Sequence, residues 1–217
     1  MHAGPWRRRA LGGVAGCALL WLGACGGGDP LTNPALVTNS PGAAGQVLSF
    51  VYFQQCINPI LTNPILVVIN GTSVTKTCSA AGCHDYSNGA GGALRLVAGA
   101  QPQALDASTP TLLSGGTAAL PTIRASDMYK NFLSAQGEVV IGSPLQSRLL
   151  DKPLLLNVLH GGGLVFQSTT DANVQLIQYW INHPMPPGED EFGSAAASLF
   201  TPPFTSSSAY IGACNFQ

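Results

Sequence analysis

The chain has 217 residues, a length that matches one domain, and only 9% of them are charged, so it is not a charged helical protein. Nine Lys and Arg stand against ten Asp and Glu, a formal charge of −1 that excludes the basic surface a nucleic-acid binder needs. Its 26 glycines and 16 prolines predict a fold rich in loops.

Arg7, Arg8 and Arg9, followed by the apolar run Ala10 to Leu22, read as an export signal over residues 1–24, too short for a stable transmembrane helix. The run closes in Leu22-Gly23-Ala24-Cys25, which resembles the lipobox of bacterial lipoproteins. That resemblance implies cleavage before Cys25 and a lipid on its thiol; an ordinary signal peptide with an incidental cysteine is the alternative. Gly26, Gly27 and Gly28 open a tether over residues 25–45 that is mostly Pro, Asn, Ser, Thr, Ala and Gly, and the folded domain is expected over 46–217. Proteobacterial lipoproteins kept at the inner membrane carry an aspartate after the lipidated cysteine, and Gly26 stands there instead. An outer-membrane lipoprotein on the periplasmic side or at the cell surface is therefore expected. Loss of the signal removes three arginines and leaves the domain acidic.

A first helix is predicted over Val47 to Ile57, with Val47, Phe50, Val51 and Ile57 at helical spacing, ending at Asn58-Pro59 because proline disfavours helix in the residue before it. Leu66 to Ile69 is a short strand or buried loop ahead of the turn signal Asn70-Gly71. Next comes Cys78-Ser79-Ala80-Ala81-Gly82-Cys83-His84. Two thiols followed at once by an imidazole suit covalent haem attachment, the thiols adding across the haem vinyl groups and His84 ligating the iron. The spacer holds four small residues where two are usual. Zinc binding, or a small Cys78–Cys83 disulfide without cofactor, are the competing readings. Gly89, Gly91 and Gly92 let the backbone lie close to a planar ligand, with Leu94 and Leu96 covering its face.

Ala98 to Pro121 reads as surface loop with a short helical turn. Ser126 caps a helix through Met128, Tyr129, Phe132 and Leu133 that breaks at Gly137. Pro144 to Leu159 is predicted as a further helix capped by Ser143 and interrupted or ended by Pro153. His160-Gly161-Gly162-Gly163 makes a loop, and Asp171 caps a last helix from Ala172 to Asn182 whose apolar face is Val174, Ile177, Trp180 and Ile181. Pro184 to Gly188 stops it, and a tail that is acidic at first runs on to Cys214.

From Cys56 to Ile181 the order of a Cys-Cys-His site, a Gly-Gly-x-Leu-x-Leu segment, a Ser-Pro-x-x-Ser-x-Leu helix, a His-Gly-Gly-Gly loop and a final helix ending in Tyr-Trp-Ile resembles the c-type cytochrome domains of exported bacterial proteins. The resemblance implies a mainly α, small cytochrome c-like fold whose first and last helices cross near the edge of one covalent haem. It also implies a distal ligand from the region before the last helix, which is His160 here; Met185, Met128, His183 or an open site are the rivals. The site expected on this reading comprises Cys78, Cys83, His84, Gly91, Gly92 and Leu94 around the haem, with His84 and His160 on the iron. Haem at Cys78 and Cys83 would leave Cys56 and Cys214 to form a disulfide in an oxidising compartment. Trp180 is read as core, with a propionate contact as the alternative, and Arg95, Arg148 and Lys152 are candidate propionate partners. Glu189-Asp190-Glu191 reads as a solvated turn or a docking patch for a basic partner. The implied activity is single-electron transfer between redox proteins; a haem peroxidase and a haem-free structural lipoprotein are the alternatives.

Overall fold

The computed structural model describes residues 45–69, 71–103, 120–204 and 212–216. The chain separates into two compact units, Met1–Leu36 and Val37–Gln217, and every described residue belongs to the second. The export signal, Cys25 and nearly all of the tether lie outside the described residues, as do residues 104–119 of the expected loop and 205–211 of the tail.

The first helical run is longer than its prolines suggest. Helix α1 (Phe50–Tyr52) is capped by Ser49, whose hydroxyl accepts from the Tyr52 N–H. It passes through a π-helical turn, Phe53–Ile57, into α2 (Asn58–Thr62). The sequence predicts an end at Pro59, but the wider turn lets the Asn58 N–H reach back to the Phe53 carbonyl, and Pro59 enters where no donor is needed. Helix α3 (Leu120–Ala125) precedes α4 (Asp127–Gln136), which is capped by Ser126 as expected, its hydroxyl accepting from the Tyr129 N–H. The last helix, α6 (Ala172–Asn182), has the predicted bounds, and Asp171 accepts from the Asn173 N–H.

Apolar faces of α1, α4 and α6 meet in one aromatic core. Phe50 lies edge-on to Phe132 at 5.5 Å, and Phe53 packs on Trp180 at 5.4 Å, so the first helical run and the last helix are in direct contact. The indole N–H of Trp180 donates to the Ser49 carbonyl at 3.0 Å, which makes Trp180 a core residue and leaves no N–H for a propionate.

A mainly α fold is not what forms. Helix accounts for about 35% of the described chain, and two small antiparallel sheets complete a mixed, loop-rich architecture. Strand β1 (Ile65–Ile69), β-branched at four of its five positions, pairs with β2 (Thr72–Lys76) in a hairpin that matches Ile69 with Thr72. The expected helix from Pro144 to Leu159 also breaks up. It becomes a 3-10 turn, Pro144–Gln146, and one turn of helix, α5 (Arg148–Asp151), that starts after Ser147 and not after Ser143. Pro153 ends it, and buried Asp151 holds the following turn, its carboxylate accepting from the Asn157 N–H at 2.9 Å and its carbonyl from the Leu156 N–H at 3.1 Å.

At the C-terminal end β3 (Phe200–Thr201) pairs with β4 (Ala213–Cys214), and Cys214 forms the expected disulfide with Cys56. The acidic turn is solvated only in part, with Asp190 exposed. Glu191 is buried and accepts from Tyr129 Oη at 2.6 Å and from Arg124 Nε at 2.9 Å, while Glu189 accepts from the Ala195 N–H at 3.1 Å. Through Glu191 the cluster ties α3 and α4 to the C-terminal segment, while Asp190 stays exposed.

Candidate haem site

The four-residue spacer between the cysteines coils into consecutive turns. Ala80 N–H bonds the Thr77 carbonyl at 3.2 Å, Cys83 N–H bonds the Ala80 carbonyl at 2.9 Å, and Gly82 takes φ +82°. His84 N–H then reaches back to the Cys78 carbonyl at 2.9 Å, so six residues of chain return His84 to the level of Cys78. Ser79 N–H on the Leu61 carbonyl, at 3.2 Å, anchors the turn to the end of α2. Beyond it, Asp85 and Leu96 bridge in parallel and Gly91 N–H bonds the Cys83 carbonyl at 2.7 Å, folding the glycine segment back over His84.

Bare backbone is needed at that return. A Cβ on Gly91 would lie 2.5 Å from His84 Nδ1 and 2.7 Å from the Cys83 carbonyl oxygen. Gly91 therefore lies against the imidazole itself. Leu94 remains beside the ring, while Leu96 is fully buried in the core and does not line the site.

His160 arrives from the other side. The Pro153 carbonyl accepts from the Val165 N–H at 2.9 Å, and Val68 exchanges backbone hydrogen bonds with Leu164, so the loop between them is held at both ends. The imidazoles of His84 and His160 lie with ring centroids 6.1 Å apart and planes within 13°. Rings in contact sit closer, as Tyr179 and His183 do at 3.9 Å. Two nitrogens on one metal at about 2.0–2.1 Å each, plus roughly 1 Å from nitrogen to ring centre, put the centroids about 6 Å apart. His84 Nδ1 bonds the Leu94 carbonyl at 3.2 Å and His160 Nδ1 bonds the Gly163 carbonyl at 2.9 Å. A carbonyl only accepts, so both Nδ1 atoms carry the proton and both Nε2 atoms keep a free lone pair. Burial lowers the His84 pKa, and His160, Lys152 and Arg95 lower it further against the raising hydrogen bond from Leu94, which holds the ring in its neutral, ligating form.

Both imidazoles open on one cleft that is continuous with solvent. Leu61, Leu94, Leu149, Pro153, Val165 and Phe166 form its apolar walls; Cys78, Gly91, Glu138, Arg148 and Lys152 complete it. Of the residues expected from the sequence, Cys78, His84, Gly91, Leu94 and His160 meet here. Cys83 and Gly92 stand beside the cleft without lining it, and a Cβ on Gly92 would lie 3.9 Å from Lys152 Nζ. The rival ligands are elsewhere: Met185 and Met128 are in the core, and His183 is bonded through Nδ1 to the Tyr179 carbonyl.

Cys78 and Cys83 are free thiols, with Cys78 pushed up to about 11 by burial and by its neighbour Cys83. Arg95 is partly buried beside His84, and its Nη1 is buried without a hydrogen-bond partner. Among the described residues no group of three or more His, Cys, Asp or Glu is placed to hold a metal ion. The residues present do fit a flat, iron-bearing group: two near-parallel imidazoles on one cleft, a free thiol beside them, apolar walls and the cations Arg148 and Lys152. Sequence reasoning missed Glu138, which follows the end of α4, and the wall of Val165 and Phe166, which comes from the chain after His160; none of the three carries a motif.

Among the described residues no helix is long and apolar enough to cross a membrane. No protein-family model matches the chain, and neither does any curated protein or solved structure.

Proposed function

We propose that the protein is an exported, membrane-tethered carrier of single electrons built on one covalently held haem c, with Cys78 and Cys83 as the attachment thiols and His84 and His160 as the axial ligands. One observation carries the reading: near-parallel imidazoles 6.1 Å apart across a single cleft, each with Nδ1 on a backbone carbonyl. A haem bound there supplies an iron that cycles between two oxidation states. The Leu94 and Gly163 carbonyls orient the ligands, the leucines, Val165 and Phe166 exclude water, and the Cys78 thiol stands at the edge where a vinyl group is needed. Two imidazoles favour a lower reduction potential than imidazole with thioether sulfur would. The carrier rests on a mixed, loop-rich scaffold of its own and not on a helical cytochrome fold.

Free Cys78 and Cys83 beside a closed Cys56–Cys214 disulfide weigh against the haem-free lipoprotein. His160 across the cleft weighs against a peroxidase, which requires an open distal position. Redox proteins at the outer membrane are the proposed partners, with lipid on Cys25 confining the domain to that surface. The absorption spectrum of the purified full-length chain tests this. A Soret band with low-spin α and β bands is expected, converting to high-spin in His160→Ala while the haem stays covalent. A chain made with haem-attachment machinery that shows no Soret band would sink the proposal.

A further inference from the structure

Near-parallel imidazole planes are not required for two histidines to hold one metal, since each ring can turn about its own metal–nitrogen bond. Something in the chain must set the 13°. At each ring one in-plane hydrogen bond, from Nδ1 to the Leu94 or the Gly163 carbonyl, fixes a direction. At each ring one glycine also lies so close that a Cβ would overlap the imidazole. A Cβ on Gly91 would meet His84 at 2.5 Å from Nδ1 and 2.6 Å from Cε1, and a Cβ on Gly162 would meet His160 at 2.9 Å from Cε1 and 3.3 Å from Nε2. These approaches leave no room for a side chain.

We infer that Gly91 and Gly162 are positioning residues that hold the two imidazole planes parallel and so set the electronic structure of the site, an inference that rests on the haem reading above. An axial imidazole acts by π overlap on the iron d orbital perpendicular to its ring plane. Parallel rings act on the same orbital and split it from its partner; perpendicular rings act on one orbital each and leave the two nearly equal in energy. The first case produces a rhombic low-spin ferric signal with three resolved g values, the second a single feature at large g.

Electron paramagnetic resonance of the ferric, full-length protein reads this directly. The wild type is expected to show the rhombic signal. Gly162→Ala is the informative variant, because the three atoms nearest the added methyl all belong to the His160 ring, whereas at Gly91 it also meets the Cys83 carbonyl at 2.7 Å and threatens the fold. Gly162→Ala should keep a low-spin absorption spectrum while its signal shifts toward larger g anisotropy. A large-g signal in the wild type, or a variant signal identical to the wild type, overturns the inference and leaves the haem reading standing. Absence of any Soret band overturns both.

Discussion

Cys78 and Cys83 are five positions apart yet differ in surroundings: Cys78 lines the cleft, and its pKa is pushed up to about 11. Thiolate, not thiol, attacks an alkylating reagent, so below that pKa the reactive fraction rises with pH. In the haem-free chain, iodoacetamide labelling of Cys78 followed by mass spectrometry should accelerate about tenfold per pH unit from neutral to mildly alkaline pH. A rate that levels off near the ordinary thiol value of about 8.5 would contradict the burial argument. With haem attached, neither thiol should label. The residue types at this site were legible because covalent attachment demands two thiols and an imidazole close in sequence. That Cys78 lines the cleft and Cys83 does not was not legible, since the cleft walls come from segments far apart in sequence, Leu61, Leu149 and Phe166 among them.

Elements governed by local chemistry came out as the sequence predicts. Ser126 and Asp171 each precede an apolar stripe of helical period and each accepts a first-turn N–H, so α4 and α6 form where the caps place them. Asp171→Ala should destabilise the fold by about 1 kcal/mol, read by urea unfolding, with the haem spectrum unchanged. No change in the unfolding midpoint would mean that packing of Trp180 and Ile177 alone fixes α6. Elements whose limits depend on context came out differently. Pro59 did not stop the first run, because a π turn before it absorbs the missing donor, and Pro144 to Leu159 did not hold together, because Asp151 and Asn157 bond each other across the break. Glu191 was misread for a related reason. Charged residues default to solvent, but Tyr129 and Arg124 arrive from helices far away in sequence and satisfy Glu191 in the interior.

Across the whole molecule, the Cys56–Cys214 bond joins residues 158 positions apart and ties the π turn to the closing strand. Such a link restricts the unfolded chain, and replacing both cysteines by alanine should cost about 2–5 kcal/mol in urea unfolding while the low-spin spectrum persists. Loss of haem attachment in that variant would show instead that Cys56 and Cys214 belong to the attachment chemistry. The sequence by itself determined the parts that short-range physics controls: the thiol and imidazole spacing, the capped helices and the turn signal at Asn70-Gly71. Only the tertiary structure decided that the fold is mixed, that His160 and not Met185 stands opposite His84, and that both rings keep Nε2 free. The reason is range. A cap or a turn is satisfied within four residues, whereas the two histidines are 76 positions apart and meet only because β1, the turn after α5 and the aromatic core bring separate loops to one cleft.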